Sequence, residues 1–202
     1  MKRDDHLTSL PLFPLRTVLY PGGLLPLRIF EPRYVTLVRD CMRDGTGFGV
    51  APIRHGGEAG EPAEPWPLGT CGEIIDFDQG ADGLLHILVK GAWRFRLASH
   101  RVNRERLLIG EVERIDDDSS EALPQEIGEL KSVLQKVLEK EGASGGHRIE
   151  VPHGASATVY RLMERLPFPL ALKLEILECA RTDLQVTRCR EALEQLMHQR
   201  AT

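Results

Sequence analysis

The sequence predicts an α+β fold, with a twisted β-barrel that holds one inserted helix and a C-terminal helical bundle after it. Two observations support the barrel: short apolar stretches alternate with polar residues up to residue 118, and turn signals separate them at close intervals. A third supports the bundle, because apolar residues recur at helical spacing beyond a polar linker at 116–120. We therefore predict a barrel subdomain at 8–118 and a helical subdomain at 119–202.

The first elements surround a turn at Pro21–Gly23. Proline fixes φ and the glycines can take φ > 0, so the chain can reverse tightly between strands predicted at 9–14 and 24–29. Pro32 then suits the first position of a helix, where a backbone N–H would have no intrahelical partner. This helix presents one apolar face, formed by Tyr34, Leu37, Val38 and Cys41.

Five further strands are predicted at 47–53, 70–78, 84–90, 92–98 and 106–115. In the fourth of these, Trp93, Phe95 and Leu97 alternate with two arginines, which is typical of a strand with one buried face. Gly91 is predicted to mark a break or bulge before that strand. Residues 54–68 are rich in glycine and proline, and this composition predicts a mobile loop between two strands.

The second half of the chain predicts four helices, at about 123–141, 156–165, 169–180 and from Thr182 onward. The last helix has a clear start signal. Thr182–Gln185 matches a capping box, in which the first and last side chains satisfy backbone N–H groups reciprocally.

The composition excludes several classes of protein. Of the 202 residues, 42% are hydrophobic and 28% charged, as in a globular domain, and the net charge of -4 argues against a general nucleic-acid binder. No apolar run of about 18 residues is present, and none follows the basic N-terminus, so we expect neither a membrane span nor a signal peptide. The four cysteines form no C-x-x-C pair, so we expect free thiols in a cytoplasmic protein.

Two segments carry a family resemblance. Residues 10–34 contain LPLFPL and VLYPGGLLPLRIFEPRY, and residues 82–97 pair DGLL with a WRFRL segment. Both resemble the N-terminal substrate-binding domain of Lon proteases, most closely the free-standing bacterial proteins that carry this domain alone. The resemblance implies a PUA-like barrel and a role in engaging polypeptide substrates. It does not imply proteolysis, because the ATPase and the Ser-Lys dyad of Lon lie in other domains, and neither G-x-x-x-x-G-K-[ST] nor G-x-S-x-G occurs in this sequence.

A peptide-binding surface is the principal candidate site. A sheet edge can accept an extended peptide by strand addition, with pockets for alternate side chains. The residues that could line such a surface are large and apolar: Leu24, Leu25, Phe30, Tyr34, Trp66, Trp93 and Phe95. The alternative is that most of them form the core. Trp66 is the exception, because a Gly- and Pro-rich loop offers little local core, so it either covers a groove or packs on a rim.

Other constellations predict ordinary structure. His147, Glu150 and His153 have loose spacing in a connector, which indicates a solvated loop and no zinc site. Cys71 and His86 could form a nucleophile–base pair, but no spacing supports it.

Two charged groups are interpreted in the same way. Glu31 with Arg28 and Arg33 suits a helix N-terminus, where an acidic group is favourable. A basic stretch could hold nucleic acid, but nearby acids favour a solvated strand face; it comprises Arg94, Arg96, His100, Arg101, Arg104 and Arg106.

The sequence thus predicts a non-catalytic module that binds unfolded or hydrophobic polypeptide segments. We expect no cofactor, no metal, no catalytic residue, and neither nucleic acid nor membrane as a partner, while self-association is left open. Three alternatives stand beside this hypothesis: a small-molecule-binding protein with a pocket near Trp66, a partner subunit of a proteolytic system, and a hydrolase acting alone.

Overall fold

The computed structural model describes residues 7–116, 124–142 and 151–201. The chain divides into two compact units, Met1–Asp116 and Asp117–Thr202. The first unit contains α1 (Pro32–Asp44) and the strands β1 (Leu7–Leu15), β2 (Leu24–Ile29), β3 (Phe48–His55), β4 (Glu64–Pro65), β5 (Leu68–Gln79), β6 (Leu85–Val102) and β7 (Leu108–Ile115). The second unit contains α2 (Pro124–Gly142), α3 (Ala155–Arg165), α4 (Leu170–Glu178) and α5 (Thr182–Ala201).

The strands of the first unit form a mostly antiparallel sheet. Its order is β1-β7-β6-β5-β3-β4, and β2 pairs with β6 outside this path. β1 also pairs with β3, in the parallel direction, so the pairings lead from β1 through β7, β6, β5 and β3 back to β1. The first part of β6, residues 85–90, lies between β2 and β5. Residues 94–96 lie between β5 and β7, and the end of the strand pairs with β7.

The turn before β2 forms as the sequence predicts. The N–H of Gly23 donates to the carbonyl of Tyr20 at 2.9 Å, and Gly22 has φ of 72°. Proline followed by a glycine with positive φ is the signature of a type II turn. The two flanking strands do not form a hairpin, however, because β1 pairs with β7 and β3 while β2 pairs with β6.

Gly91 lies inside a continuous strand, so the predicted break is wrong, but the alternative of a bulge is confirmed: Cys71 pairs with Trp93 and Gly72 with Gly91, which leaves Ala92 of β6 without a partner in the β5–β6 register. β6 runs unbroken for 18 residues. A Cβ atom at Gly91 would overlap the carbonyl oxygen of Tyr20, which shows that the segment before the turn crosses the strand at this point. Glycine is required here by close backbone approach.

The same crossing corrects the prediction for Arg94. The sequence places Arg94 on a solvated face, but this residue is only 1% exposed, whereas Arg96 is exposed as expected. Arg94 pairs in register with Thr70, which is also buried and donates its hydroxyl to the carbonyl of Leu19 at 2.6 Å. Both faces of β6 are therefore covered at this position, one by the core and one by the chain near Leu19.

Two apolar clusters form the core of the sheet unit. The larger one contains the predicted face of α1, with Tyr34, Leu37, Val38 and Cys41 all buried. Phe13 of β1 stacks on Tyr34, with ring centroids 3.8 Å apart. The other cluster surrounds Phe95 and includes residues of β1, β5 and β7. Tight side-chain interdigitation of this kind stabilises the native state mainly by burying apolar area.

In the helical unit, α3 packs against both α2 and α5. Its residues Val159, Leu162 and Met163 are fully buried. The capping role predicted for Gln185 in α5 is wrong. The side chain of Gln185 turns inward, where its amide donates to the Tyr160 hydroxyl at 3.0 Å and to the Cys179 carbonyl at 2.6 Å. The amide oxygen of Gln185, which in a capping box would accept a backbone N–H, is buried with no hydrogen-bond partner among the described residues.

Candidate functional site

The seven residues predicted to bind a peptide differ widely in exposure. Leu24 and Phe30 are exposed, by 49% and 62%, while Leu25, Trp66 and Trp93 are half-buried. Tyr34 and Phe95 are buried in the core and present almost no surface to a ligand. The accessible part of the predicted site is therefore concentrated at β2 and the residue that follows it.

The seven residues also divide between different parts of the sheet unit. Leu25 packs against the cluster that contains Tyr34, whereas Trp93 packs against the cluster that contains Phe95. Trp66 lies after β4, where its backbone N–H donates to the Pro52 carbonyl at 2.7 Å. We use the term β2 surface for the accessible predicted residues on and just after β2, together with their neighbours on that strand: Leu24, Leu25, Pro26, Leu27, Arg28 and Phe30.

Strand alternation explains why β2 shows apolar residues on both faces. Leu25 and Leu27 point to the core and are half-buried, and Ile29 is fully covered. Leu24, Pro26 and Arg28 point to the other face and are exposed. The sequence-based prediction missed Pro26, Leu27 and Arg28, although the same period-2 pattern could have identified them.

Phe30 extends the β2 surface toward α1. The helix has Glu31 at its N-cap and proline at its first turn, which places Phe30 at N′ and Val35 at N4. Residues at these two positions commonly pack together as a hydrophobic staple. Val35 is 42% exposed, so both staple positions still present apolar surface to solvent.

Charged and polar side chains surround Arg28, near the C-terminal end of β2. The guanidinium of Arg28 contacts the Asp82 carboxylate at 2.6 Å, and the His86 ring lies 3.4 Å from the same group. The backbone N–H of Leu84 is the main cause that lowers the pKa of Asp82, and hydrogen bonds from His86 and Arg28 add to it. The apolar β2 surface is thus bordered by the Arg28 guanidinium, whose counter-ion Asp82 stays ionised at neutral pH.

The predicted loop at 54–68 is held against the sheet unit by polar contacts. The N–H of Arg16 donates to Glu58 at 2.6 Å, and the N–H of Gly60 lies 3.4 Å from the Glu31 carboxylate. Glu61 pairs with Arg106 at 2.5 Å, and this hydrogen bond lowers the pKa of Glu61. The segment is not loop throughout: β3 extends to His55 at its start, and β4 (Glu64–Pro65) lies near its end.

Glu31 anchors a buried arginine and makes no side-chain hydrogen bond as a cap. Its carboxylate pairs with Arg33 at 3.0 Å, and Arg33 lies over the Tyr34 ring at 4.7 Å. Arg33 also donates to the carbonyl of Arg106 at 3.2 Å. The interpretation of Glu31 as an acid favoured by the helix dipole is therefore incomplete, since its direct partner is a side chain.

Burial is the main cause that raises the pKa of Tyr34.

Two further exposed apolar residues lie on β5, where sequence reasoning did not place a site. Ile75 is 49% and Phe77 56% exposed. Ile75 falls at an irregularity in the β5–β6 register, and the Asp76 carboxylate accepts a hydrogen bond from the N–H of Phe77 at 2.9 Å. The alternation of Ile and Phe with Asp in this segment was the signal that could have indicated them.

The structure does not assemble the alternative chemical sites. Cys71 pairs with Trp93 and His86 with Asp78, at distant points of the β5–β6 ladder, so these two residues form no nucleophile–base pair. Burial raises the pKa of Cys71 to about 12. Across residues 7–116, 124–142 and 151–201, no three His, Cys, Asp or Glu residues are grouped as a metal site. His147 and Glu150 lie outside the described residues.

Comparison with known proteins identifies the family. The family model for the ATP-dependent protease La (LON) substrate-binding domain matches residues 9–195. The chain belongs to the Lon substrate-binding domain family. The resemblance seen in the two sequence segments is thereby confirmed.

Relatives and solved structures agree with this membership. The chain is similar to Lon protease 2 of Myxococcus xanthus, with 30% identity over 145 residues, which cover 69% of this chain but 17% of that protein. A Lon N-terminal domain protein from Xanthomonas campestris has a similar structure, with a TM-score of 0.73 and 38% identity, covering 95% of this chain and 98% of that one. The N-terminal domain of the Lon protease from Mycobacterium avium complex shares the fold, with a TM-score of 0.67 and 16% identity over 91% of this chain and 97% of that one.

The extent of these matches limits what transfers to this chain. The chain spans less than a fifth of the length of the first Lon proteases that it resembles. The match covers their substrate-binding domain and not their protease domain. None of the helices in the described residues is both long and apolar enough to cross a membrane.

Proposed function

We propose that this Lon substrate-binding domain is a non-catalytic module that binds unfolded polypeptides through their exposed apolar segments. The observation that carries the proposal is the β2 surface, where leucines and Phe30 remain accessible in a folded chain of this family. Exposed apolar side chains gain about 25 cal/mol per Å² when a partner covers them. A native protein hides its own apolar segments, so an unfolded one is the preferred partner.

The absence of catalysis is part of the same proposal. Cys71 and His86, the nucleophile and base that the sequence offered, lie apart from each other, and the family match does not include a protease domain. The module would therefore supply recognition alone, as the substrate-binding part of a proteolytic system or as a partner subunit of one. We also propose that the sheet is a PUA-like barrel, which the return of the strand pairings to β1 supports.

Binding of a permanently unfolded protein tests the proposal. Fluorescence anisotropy of labelled, carboxymethylated α-lactalbumin should show saturable binding to the full chain, and native α-lactalbumin should compete poorly. Equal competition by the native form would contradict the proposal. Mass spectrometry of the labelled protein after incubation, with and without ATP, should show no cleavage.

A matched pair of leucine variants locates the binding surface. Leu24 on β2 and Leu184 on α5 have similar exposure, 49% and 44%. We expect Leu24→Ser to weaken binding about fivefold, because it removes roughly half of a leucine's burial energy. Leu184→Ser should bind as the wild type does. Equal weakening by both variants would show that binding is not located at β2.

A cavity in the helical unit favours a second candidate function. It has a volume of about 330 Å³ and lies between α4 and α5, lined by apolar residues such as Phe168 and Leu172 beside the charged Glu175 and Arg188. Cavities that combine apolar side chains with polar groups can hold small molecules. A metabolite that raises the melting temperature of the wild type, but not of Leu172→Trp, would support this candidate.

A further inference from the structure

We infer that an unfolded client binds as an added β-strand along the outer edge of β2, antiparallel or parallel to it, and not only through side-chain burial. The inference rests on the proposed function and specifies the conformation of the bound segment. Within the described residues, β2 pairs with β6 alone, so its other edge faces no strand.

The backbone of β2 offers hydrogen-bonding groups at this edge. The N–H of Gly91 donates to the Gly23 carbonyl at 2.9 Å, in the same register as the β2–β6 ladder. Antiparallel pairs alternate between hydrogen-bonded and non-hydrogen-bonded positions, so Leu25, Leu27 and Ile29 bond to β6. Leu24 and Arg28 then direct their N–H groups outward. Pro26 falls at an outward position too, where its missing N–H does not interrupt the ladder.

A second open edge, on β5, is blocked to strand addition by its own residues. β3 pairs with β5 only up to Gly72, so residues 73–79 have one strand neighbour. This part of β5 has a register irregularity at Ile75, and Asp76 already occupies the N–H of Phe77. Bulges and charges of this kind are the devices by which proteins prevent edge pairing. Along the edge of β2 the register is regular, and although Pro26 and Arg28 are a proline and a charge at the edge, Pro26 alone of the three outward positions lacks an N–H.

The occupant that fits this edge is an extended, unpaired polypeptide. Its N–H and C=O groups are the complement of the outward groups of β2, and its apolar side chains would continue the face formed by Leu25 and Leu27. The opposite face carries Arg28 and, across the ladder from Leu24, the exposed Lys90.

Proline substitution at the edge tests the inference with the same unfolded probe. Pro26→Val adds an outward N–H, and we expect about threefold tighter binding of carboxymethylated α-lactalbumin. Arg28→Pro removes an outward N–H, and we expect at least about threefold weaker binding than Arg28→Ala, which removes the charge but keeps the N–H. Far-UV circular dichroism and melting temperature establish that each variant is folded.

The outcomes separate this inference from the proposed function. If the wild type binds the probe but Pro26→Val does not tighten binding, strand addition is wrong while polypeptide recognition stands. Equal binding by Arg28→Pro and Arg28→Ala would likewise overturn strand addition alone. If Arg28→Pro does not fold, the affinity of Pro26→Val for the probe alone tests strand addition. If the wild type does not bind the probe, both the proposed function and the inference are wrong.

Discussion

Burial controls the reactivity of the cysteine residues. Cys41, Cys71 and Cys189 are buried, and burial raises the pKa of each thiol, to about 12 for Cys71 and Cys189. Cys179 is half-buried beside the Arg181 carbonyl. Because the thiolate is the nucleophile, a thiol with raised pKa and no access to reagent reacts slowly.

We predict that the folded protein exposes one fast-reacting thiol. At pH 8, Ellman's reagent should modify Cys179 within minutes and the other three only after unfolding in guanidinium chloride. Cys179→Ser should abolish the fast phase. A fast phase that persists in this variant would show that one of the thiols described as buried is accessible.

Residue types in the candidate site were predictable, but their exposure was not. The pattern of large apolar residues identified Leu24, Phe30, Tyr34 and Phe95 together, yet two of them are exposed and two are buried. Burial depends on which strands pair, and the pairing of β2 with β6 is not encoded by the spacing of its own residues.

At the scale of elements, period-2 and helical patterns predicted the strands and helices well. The errors at β6 have one common cause, a chain crossing. The segment around Leu19 and Tyr20 passes over β6, which buries Arg94 and requires glycine at position 91. Contacts between residues so far apart in the sequence leave no local signal, so the pattern around Gly91 indicates two strands where the structure has one long β6.

We predict that Gly91→Ala destabilises the sheet unit by about 2–3 kcal/mol, because the new methyl group overlaps the Tyr20 carbonyl. Gly128→Ala in α2 is the matched control, since the added methyl group meets no atom within 4 Å apart from the backbone of its own helix. It should stabilise the helical unit by about 0.5–1 kcal/mol through helix propensity. Chemical denaturation measures both effects, and equal stability of Gly91→Ala and wild type would contradict the crossing.

At the scale of the whole molecule, we propose that the sheet unit and the helical unit unfold separately, as the predicted subdomains at 8–118 and 119–202 imply. The chain clusters into Met1–Asp116 and Asp117–Thr202. Both tryptophans, Trp66 and Trp93, lie in the first unit, so tryptophan fluorescence reports on that unit alone.

This proposal predicts the behaviour of a core variant in α3. Leu162→Ala should destabilise the helical unit by about 2–5 kcal/mol, because Leu162 is fully buried. The tryptophan-detected melting temperature should stay unchanged, while the helical circular dichroism signal melts earlier. A common shift of both signals would show that the two units unfold as one cooperative body.

Recognition of unfolded polypeptides at β2, without chemistry on them, is the central property that we propose for this chain. Amide hydrogen exchange of the full chain, read by mass spectrometry with and without carboxymethylated α-lactalbumin, tests it most directly. We predict slower exchange over residues 24–30 when the client is bound, with the client recovered at its original mass. Unchanged exchange at 24–30 under saturating client, or recovery of client fragments, would contradict it.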